Sequence, residues 1–262
     1  MLLRRMTEHV RDQNWFAVVL DFGIVVSGVF LAFQLTTWAE ERQTQEDVAN
    51  ALLRLHEESV EAVRYLDGQV ANFTFLTGMQ DRTVAALSAG NIDNLDERTA
   101  QIGIFSLRFY PETTPPRAVY DEMSATGMLT RIEDGTTRQD IITYYQALDF
   151  YRGQLNFFRQ AILSSELVET DGVTTFYDPE EDERIGLRID LPVIAEDEAY
   201  INDLVGQLRN QLVIHRYRNE LRDAAVAMCE ALADNVGADC PREDFSAGPP
   251  GAQPPTQDEE ME

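Results

Sequence analysis

Hydrophobic residues in this chain follow two regimes. Between Trp15 and Trp38 they form a nearly continuous run, and after Trp38 they recur at helical spacing. The run, residues 16–37, reads FAVVLDFGIVVSGVFLAFQLTT, with Asp21 and Gln34 its strongly polar positions. About 20 apolar residues in a helix cross a bilayer core, so the run predicts one transmembrane helix. A helix buried in a soluble domain normally keeps a polar face, and this run has none. A cleaved signal peptide has an apolar core of ~7–15 residues ending in small residues. Here the run is longer and ends Leu35-Thr36-Thr37-Trp38. Arg4-Arg5 lacks the rest of a twin-arginine export pattern. Trp15 and Trp38 stand where interfacial aromatic residues sit. Asp21 lies near the N-terminal end of the run, where a carboxylate costs less than at the midplane.

Beyond Trp38 the sequence turns polar, with no Pro or Gly before Gly68. The same helix is therefore predicted to continue as a stalk. Val48, Leu52, Leu55, Ala62, Leu66, Val70 and Phe73 make one apolar stripe, with Ser59 its polar gap. The stripe predicts helix to about residue 88, stopped by Gly90-Asn91. A shorter helix is predicted over 95–107, followed by an irregular connection through Pro111, Pro115 and Pro116. Pro116 suits the first turn of a helix over 117–124. Thr126-Gly127 ends that helix, and Glu133-Asp134-Gly135 is a second turn.

Thr136-x-x-Gln139 matches a capping box opening the clearest helix. Ile141, Tyr144, Leu148, Tyr151, Leu155, Phe158 and Ile162 step by three and four, with Tyr145 and Phe157 widening the face. At this spacing the aromatic stripe reads as core packing rather than a ligand pocket. Residues 173–177 and 184–191 read as strands of a small hairpin. The acids joining them, Asp178, Glu180 and Asp182, resemble the start of a calcium loop. They lack its glycine and its twelfth-position glutamate, so a solvated turn is the better reading. The last helix is predicted over 197–235. Its buried side is Ile201, Leu204, Leu208 and Leu212, then Ile214, Tyr217, Leu221, Ala225, Met228 and Leu232. From Pro241 onward Pro, Gly, Gln and acids predict a disordered tail.

Charge refines this architecture. Acidic residues outnumber basic ones 46 to 21, for a net charge of −25. Such a surface repels nucleic acid, which disfavours a DNA- or RNA-binding role. Every basic residue is Arg, and the lack of Lys removes Schiff-base and Walker-type chemistry. Arg4, Arg5 and Arg11 precede the span, whereas Arg42 and, further on, Arg54 follow it. This bias predicts a cytoplasmic N-terminus and an extracytoplasmic remainder. Residues 1–15 are then cytoplasmic, 16–38 transmembrane, 39–240 a helical extracytoplasmic domain and 241–262 the tail. The fold class is all-α, a transmembrane helix and stalk leading to a bundle with a small β-hairpin insertion.

Candidate chemistry is sparse. Cys229 and Cys240 can form a disulfide in an oxidising compartment, which is favoured over two free thiols with Cys229 on an apolar helix face. His9, His56 and His215 are too scattered for a zinc centre, and no cofactor is implied. His215 sits beside the buried stripe and reads as a packed histidine. Glu57, Glu58 and Glu61 share a helix surface, which reads as a solvated face rather than a catalytic cluster. No G-x-S-x-G or H-E-x-x-H pattern occurs. Within the span, Gly23 and Ser27, and Gly28 and Ala32, are small residues four apart that allow close helix pairing.

Three segments, 20–42, 119–134 and the following helix with Tyr144-Tyr145, carry a resemblance. The first has an early acid, a Gly-rich middle and a Trp-x-Glu exit. The second, VYDEMSATGMLTRIED, holds a Tyr…Ser/Thr-Gly turn. Together they resemble an uncharacterised bacterial family of single-span membrane proteins of unknown function. The resemblance implies an inner-membrane anchor and a helical periplasmic domain, and implies no activity. The turn at Ser124 and Gly127 also has a plain physical reading. Gly127 takes a positive φ at a helix end while Met128 and Leu129 return to the core. These features predict a membrane-anchored interaction or scaffold protein, not an enzyme. Its partners would be the bilayer, further copies of itself, or other membrane or periplasmic proteins. The alternative is a ligand-sensing helical module signalling through a partner.

Overall fold

Helical periodicity and capping account for most of the architecture. The computed structural model describes residues 15–164, 170–177, 179 and 185–242, without the side chains of 15–18, 163, 164, 185 and 186. Six α-helices and a two-stranded sheet are present among the described residues. The first, α1, runs Trp15–Ser88 over 74 residues. The chain divides inside it into two compact units, Met1–Ala51 and Leu52–Glu262.

In the first unit, one stretch of α1 is long and apolar enough to cross a membrane. None of its most apolar window is buried by protein. Phe22 is 70% exposed, Val29 67% and Phe33 68%. Thr36 and Thr37 turn their hydroxyls onto the carbonyls of Ala32 and Phe33, at 3.0 and 3.1 Å. Those bonds satisfy both hydroxyls within the helix itself.

In the second unit α1 ends at the expected place. Gly90 has φ +64°, its N–H bonds to Leu87 O, and the Asn91 N–H reaches back to Ala86 O. This paired closure is the Schellman geometry, and it needs glycine at the left-handed position. Helix α2 follows at Glu97–Ser106, capped by the Asp96 side chain on the Thr99 N–H. It lies hard against α1. A Cβ at Gly103 would fall 2.9 Å from Thr83 Cβ, so only glycine fits. Helix α3 is Ala118–Thr126, and a short 3-10 turn occupies Met128–Arg131.

Helix α4 is Gly135–Ser164, and its start corrects the capping-box expectation. The cap is Asp134, whose carboxylate accepts the Thr136 and Thr137 N–H groups at 3.1 Å each. Helix therefore begins before Thr136, and Gln139 bonds Thr143 instead of reaching back. Asp outranks Thr here because it offers two oxygens to two orphan N–H groups. Ile141, Tyr144, Leu148, Tyr151 and Leu155 are buried as the stripe predicts, and Tyr145 joins them. Phe157 does not. It is 62% exposed, with its ring edge-on to Phe158.

Strands β1 (Val173–Tyr177) and β2 (Ile185–Ile189) form the expected antiparallel hairpin, with Thr175 opposite Leu187. Strand β2 stops short of Leu191, because Asp190 caps the short helix α5, Leu191–Ala195. Helix α6, Glu198–Val236, starts at the Asp197 cap and ends at Gly237, φ +67°. Its stripe is buried at Leu204, Leu208, Ile214, Leu221, Ala225, Met228 and Leu232, is half-buried at Ile201 and Tyr217, and fails at Leu212, which is 47% exposed. Gln211 takes the buried position instead.

One apolar cluster unites Val84 and Leu87 of α1, Ile104 and Leu107 around α2, Ile194 of α5, and Tyr200, Leu204 and Leu208 of α6. Val173, Leu187 and Ile189 of the hairpin pack on it. Each fully buried aliphatic side chain there contributes about 1.5–3 kcal/mol. The remainder of the core mixes aliphatic residues such as Leu55, Leu66, Ile141 and Leu148 with the aromatic Phe73, Tyr144, Tyr145 and Tyr151, all at 2% exposure or less.

Candidate functional site

The clearest ligand-sized concavity lies where the hairpin meets α2 and α6. A cavity of about 530 Å³ is lined by Ile104, Phe105, Phe109, Val173, Leu187 and Leu204, with Arg108, Thr170, Thr175 and Tyr200 supplying polar atoms. Its shape follows from the local fold. The last turn of α2 presents Phe105 outward at 66% exposure, and the chain leaving α2 presents Phe109 at 46%. That exit is held by Gln211, whose amide donates to the carbonyls of Ser106, Leu107 and Phe109 at 3.2, 2.8 and 3.3 Å. Ser106 O also accepts the Phe109 N–H at 3.0 Å, so the amide reinforces a turn that already closes the helix end. Arg108 is fixed by an ion pair to Asp203 of α6 at 3.0 Å. Gly172 lets the hairpin close on α5, since a Cβ there would meet Ile194 Cγ1 at 2.6 Å. The result is an apolar hollow with a few placed polar groups, the usual composition of a small-molecule site.

A second polar centre corrects the solvated-face reading of the α1 acids. Glu57 and Glu61 are exposed, but Glu58 is 7% exposed. Its carboxylate accepts the Val119 N–H at 2.7 Å, the Tyr120 N–H at 3.3 Å and the Tyr145 hydroxyl at 2.8 Å. Arg117, at the N-cap of α3, provides no side-chain cap. Glu58 therefore caps α3 from another helix, and its negative charge suits that helix end. The Tyr120 and Tyr145 rings stack at 3.6 Å between centroids, and Arg117 sits 5.9 Å from each ring. Arg117 also bonds Asp121 and Asp149. Burial, then the Glu58 charge, pushes the Tyr145 phenol far above its ordinary range, so it stays a proton donor. The Glu58–Tyr145 pair is locked in structural bonds.

At the end of α6, Cys229 and Cys240 are joined as a disulfide. The segment it holds folds onto α1. Asp239 O lies 3.1 Å from His56 Nε2, and Arg242 bonds Asp67, which also receives Arg222. His56 is thus a packing residue at 8% exposure.

His215 is packed beside α1, with Nε2 3.3 Å from Thr74 Oγ1. Thr74 already gives its proton to Val70 O, so its oxygen accepts and His215 carries hydrogen on Nε2. Burial and then Arg218 lower the His215 pKa and keep it neutral. Arg218 itself is 1% exposed and lies over the Phe73 ring at 3.5 Å.

The remaining sequence candidates separate. Gly23 and Ser27 line one notch on the α1 surface with Gly28 at its margin, together with Val19, Leu20, Ile24 and Leu31. Ala32 is not part of it, because it points about 180° away from Gly23 on a helix with 3.6 residues per turn. Gly127 has φ +74°, and its N–H bonds Ser124 O at 3.3 Å, which makes this pair a helix terminus. Met128 and Leu129 remain half-buried, whereas Met123 and Ile132 fill the core. His9, Asp178, Glu180, Asp182 and the tail from 243 lie outside the described residues, as does the Trp15 side chain. Among the described residues no group of three His, Cys, Asp or Glu is placed to hold a metal ion.

Comparison with protein-family models, with curated proteins and with solved structures finds no match.

Proposed function

We propose that the protein is a bacterial inner-membrane interaction or scaffold protein, anchored by the apolar part of α1 with its N-terminus in the cytoplasm. The bundle then stands in the periplasm. The observation that carries the reading is the unburied apolar surface around Phe22, Val29 and Phe33. A surface so large and continuous is unstable in water and calls for lipid or another helix. The Arg bias before the span supports the orientation. The bond between Cys229 and Cys240 is what an oxidising compartment permits. The notch at Gly23 and Ser27 supports self-association, since small residues let two helix backbones approach.

A C-terminal topology reporter, with crosslinking in membranes, tests this reading. The expected result is a periplasmic C-terminus and a crosslinked dimer that Gly23→Ile weakens several-fold. A cytoplasmic C-terminus, or only an isolated monomer with no partner, would overturn it. The second reading is a ligand-sensing module acting through a partner, and the hollow beside Phe105 and Phe109 favours it. A thermal-shift screen with amphipathic metabolites checks it, and stabilisation lost in Phe105→Ser is the expected outcome.

A further inference from the structure

Among the described residues Arg218 is the one guanidinium buried to 1% exposure, and it lies in the middle of α6 among aromatic rings. In a chain with 46 acids, an arginine at this depth would be expected to meet a carboxylate. None faces it. Its Nε and Nη1 have no hydrogen-bond partner among the described residues. Its polar neighbours include the Tyr151 phenol from α4, which it hydrogen-bonds, the Tyr65 phenol from α1, and His215 on its own helix. Both phenol oxygens are already accepting. Tyr151 receives Thr113 Oγ1 at 3.4 Å, and Tyr65 receives the Thr114 N–H at 3.2 Å. A phenol that accepts still has its own proton to give. The Phe73 ring covers one face of the guanidinium at 3.5 Å and offers only its π-cloud. The guanidinium, a single positive charge, is thus left with two unpartnered nitrogens and no paired carboxylate among the described residues.

A buried cation of this kind is costly without a counter-charge, and unused donors add to that cost. Burial is also what lowers the Arg218 pKa, although a guanidinium stays protonated in any accessible range. We propose that Arg218, with the hydroxyls of Tyr65 and Tyr151, binds a small monovalent anion of chloride-to-acetate size between α1, α4 and α6. One cation matches one negative charge, so a dianion such as sulfate would bring uncompensated charge into the interior. Facing helices of a bundle are a usual place for such a site.

The test uses the full chain in detergent micelles, in HEPES with gluconate as the bulky reference anion. Replacing gluconate with acetate at equal ionic strength should raise the unfolding midpoint by several degrees and then saturate, because a ligand that binds only the folded state stabilises it by mass action. Arg218→Met keeps the length and loses the charge. It should abolish the acetate response while matching or exceeding the wild type in gluconate. Equilibrium dialysis of the wild type with labelled acetate gives a readout that does not rely on the variant folding. Saturable binding near one acetate per chain is expected, displaced by chloride and not by equimolar sulfate. No saturable acetate binding, displacement by sulfate as effective as by chloride, or an unchanged acetate response in Arg218→Met would each overturn the proposal.

Discussion

The Glu58 carboxylate on α1 and the Tyr145 hydroxyl on α4 share a buried hydrogen bond of 2.8 Å. The same carboxylate holds the first N–H groups of α3. Three helices therefore meet at one side chain. Hydrogen bonds to a charged group are worth about 1.5–3 kcal/mol. Glu58→Ala should destabilise the bundle by about 2–3 kcal/mol in denaturant unfolding, and Tyr145→Phe by about 1–2 kcal/mol. A double-mutant cycle should return a clear coupling between the two, and strict additivity would count against the shared bond.

The contact of Gly103 with Thr83 sets the spacing of α2 on α1. Gly103→Ala places a methyl where Thr83 already stands. Overpacking of this kind costs about 1–3 kcal/mol. The companion change Thr83→Ser should not rescue it, because Thr83 Oγ1 is itself one of the crowding atoms. A lowered unfolding midpoint in both the single and the double variant is the expected measurement.

Breaking the Cys229–Cys240 bond removes a short covalent loop, with a sequence separation of 11. Loop-closure entropy for that size gives about 3 kcal/mol of lost stability on reduction or in the paired Cys→Ser variant. Hydrogen exchange should rise first in the last turns of α6 and in the segment carrying Arg242 and its bonds to Asp67. Uniform exchange across α6 would show that the bond does not act locally.

Acid should loosen the helix starts before the rest of the bundle. Asp96, Asp134 and Asp197 each lie below the ordinary carboxyl value of 3.8. The leading causes are the side-chain bond with Thr99, the side-chain bond with Thr137 and the Tyr200 N–H, respectively. A lowered folded-state value means the unfolded chain binds protons more readily. The stabilisation is therefore complete above 3.8 and is lost as pH falls through the lowered values. Asp134→Asn should flatten the fall of the unfolding midpoint below pH ~4, since an amide keeps the cap geometry without titrating.

How much of this was legible in the sequence differs from element to element. The end of α1 at Gly90, the stripe of α4, the hairpin and the span of α6 were all readable, because each is set by residues close in sequence. The start of α4 was also local but ambiguous, with Asp134 and Thr136 both able to cap. Glu58 was misread for a different reason. Its neighbours Glu57 and Glu61 are solvated, and nothing in the pattern around it signals that α3, some 60 residues later, lacks a cap of its own. Gln211 was hidden in the same way beside Leu212.

By itself the sequence determined the helical periods, their glycine and aspartate boundaries, and the apolar stretch that needs a non-aqueous home. These depend on backbone geometry and on transfer from water, both of which act over a turn or two of chain. Tertiary structure alone decided that Glu58 is a buried cap, that Gln211 reinforces the end of α2, and that Arg218 pairs with no acid among the described residues. Each of those outcomes requires knowing which remote groups arrive at one point, and a desolvated polar atom is stabilised or destabilised only by what meets it there.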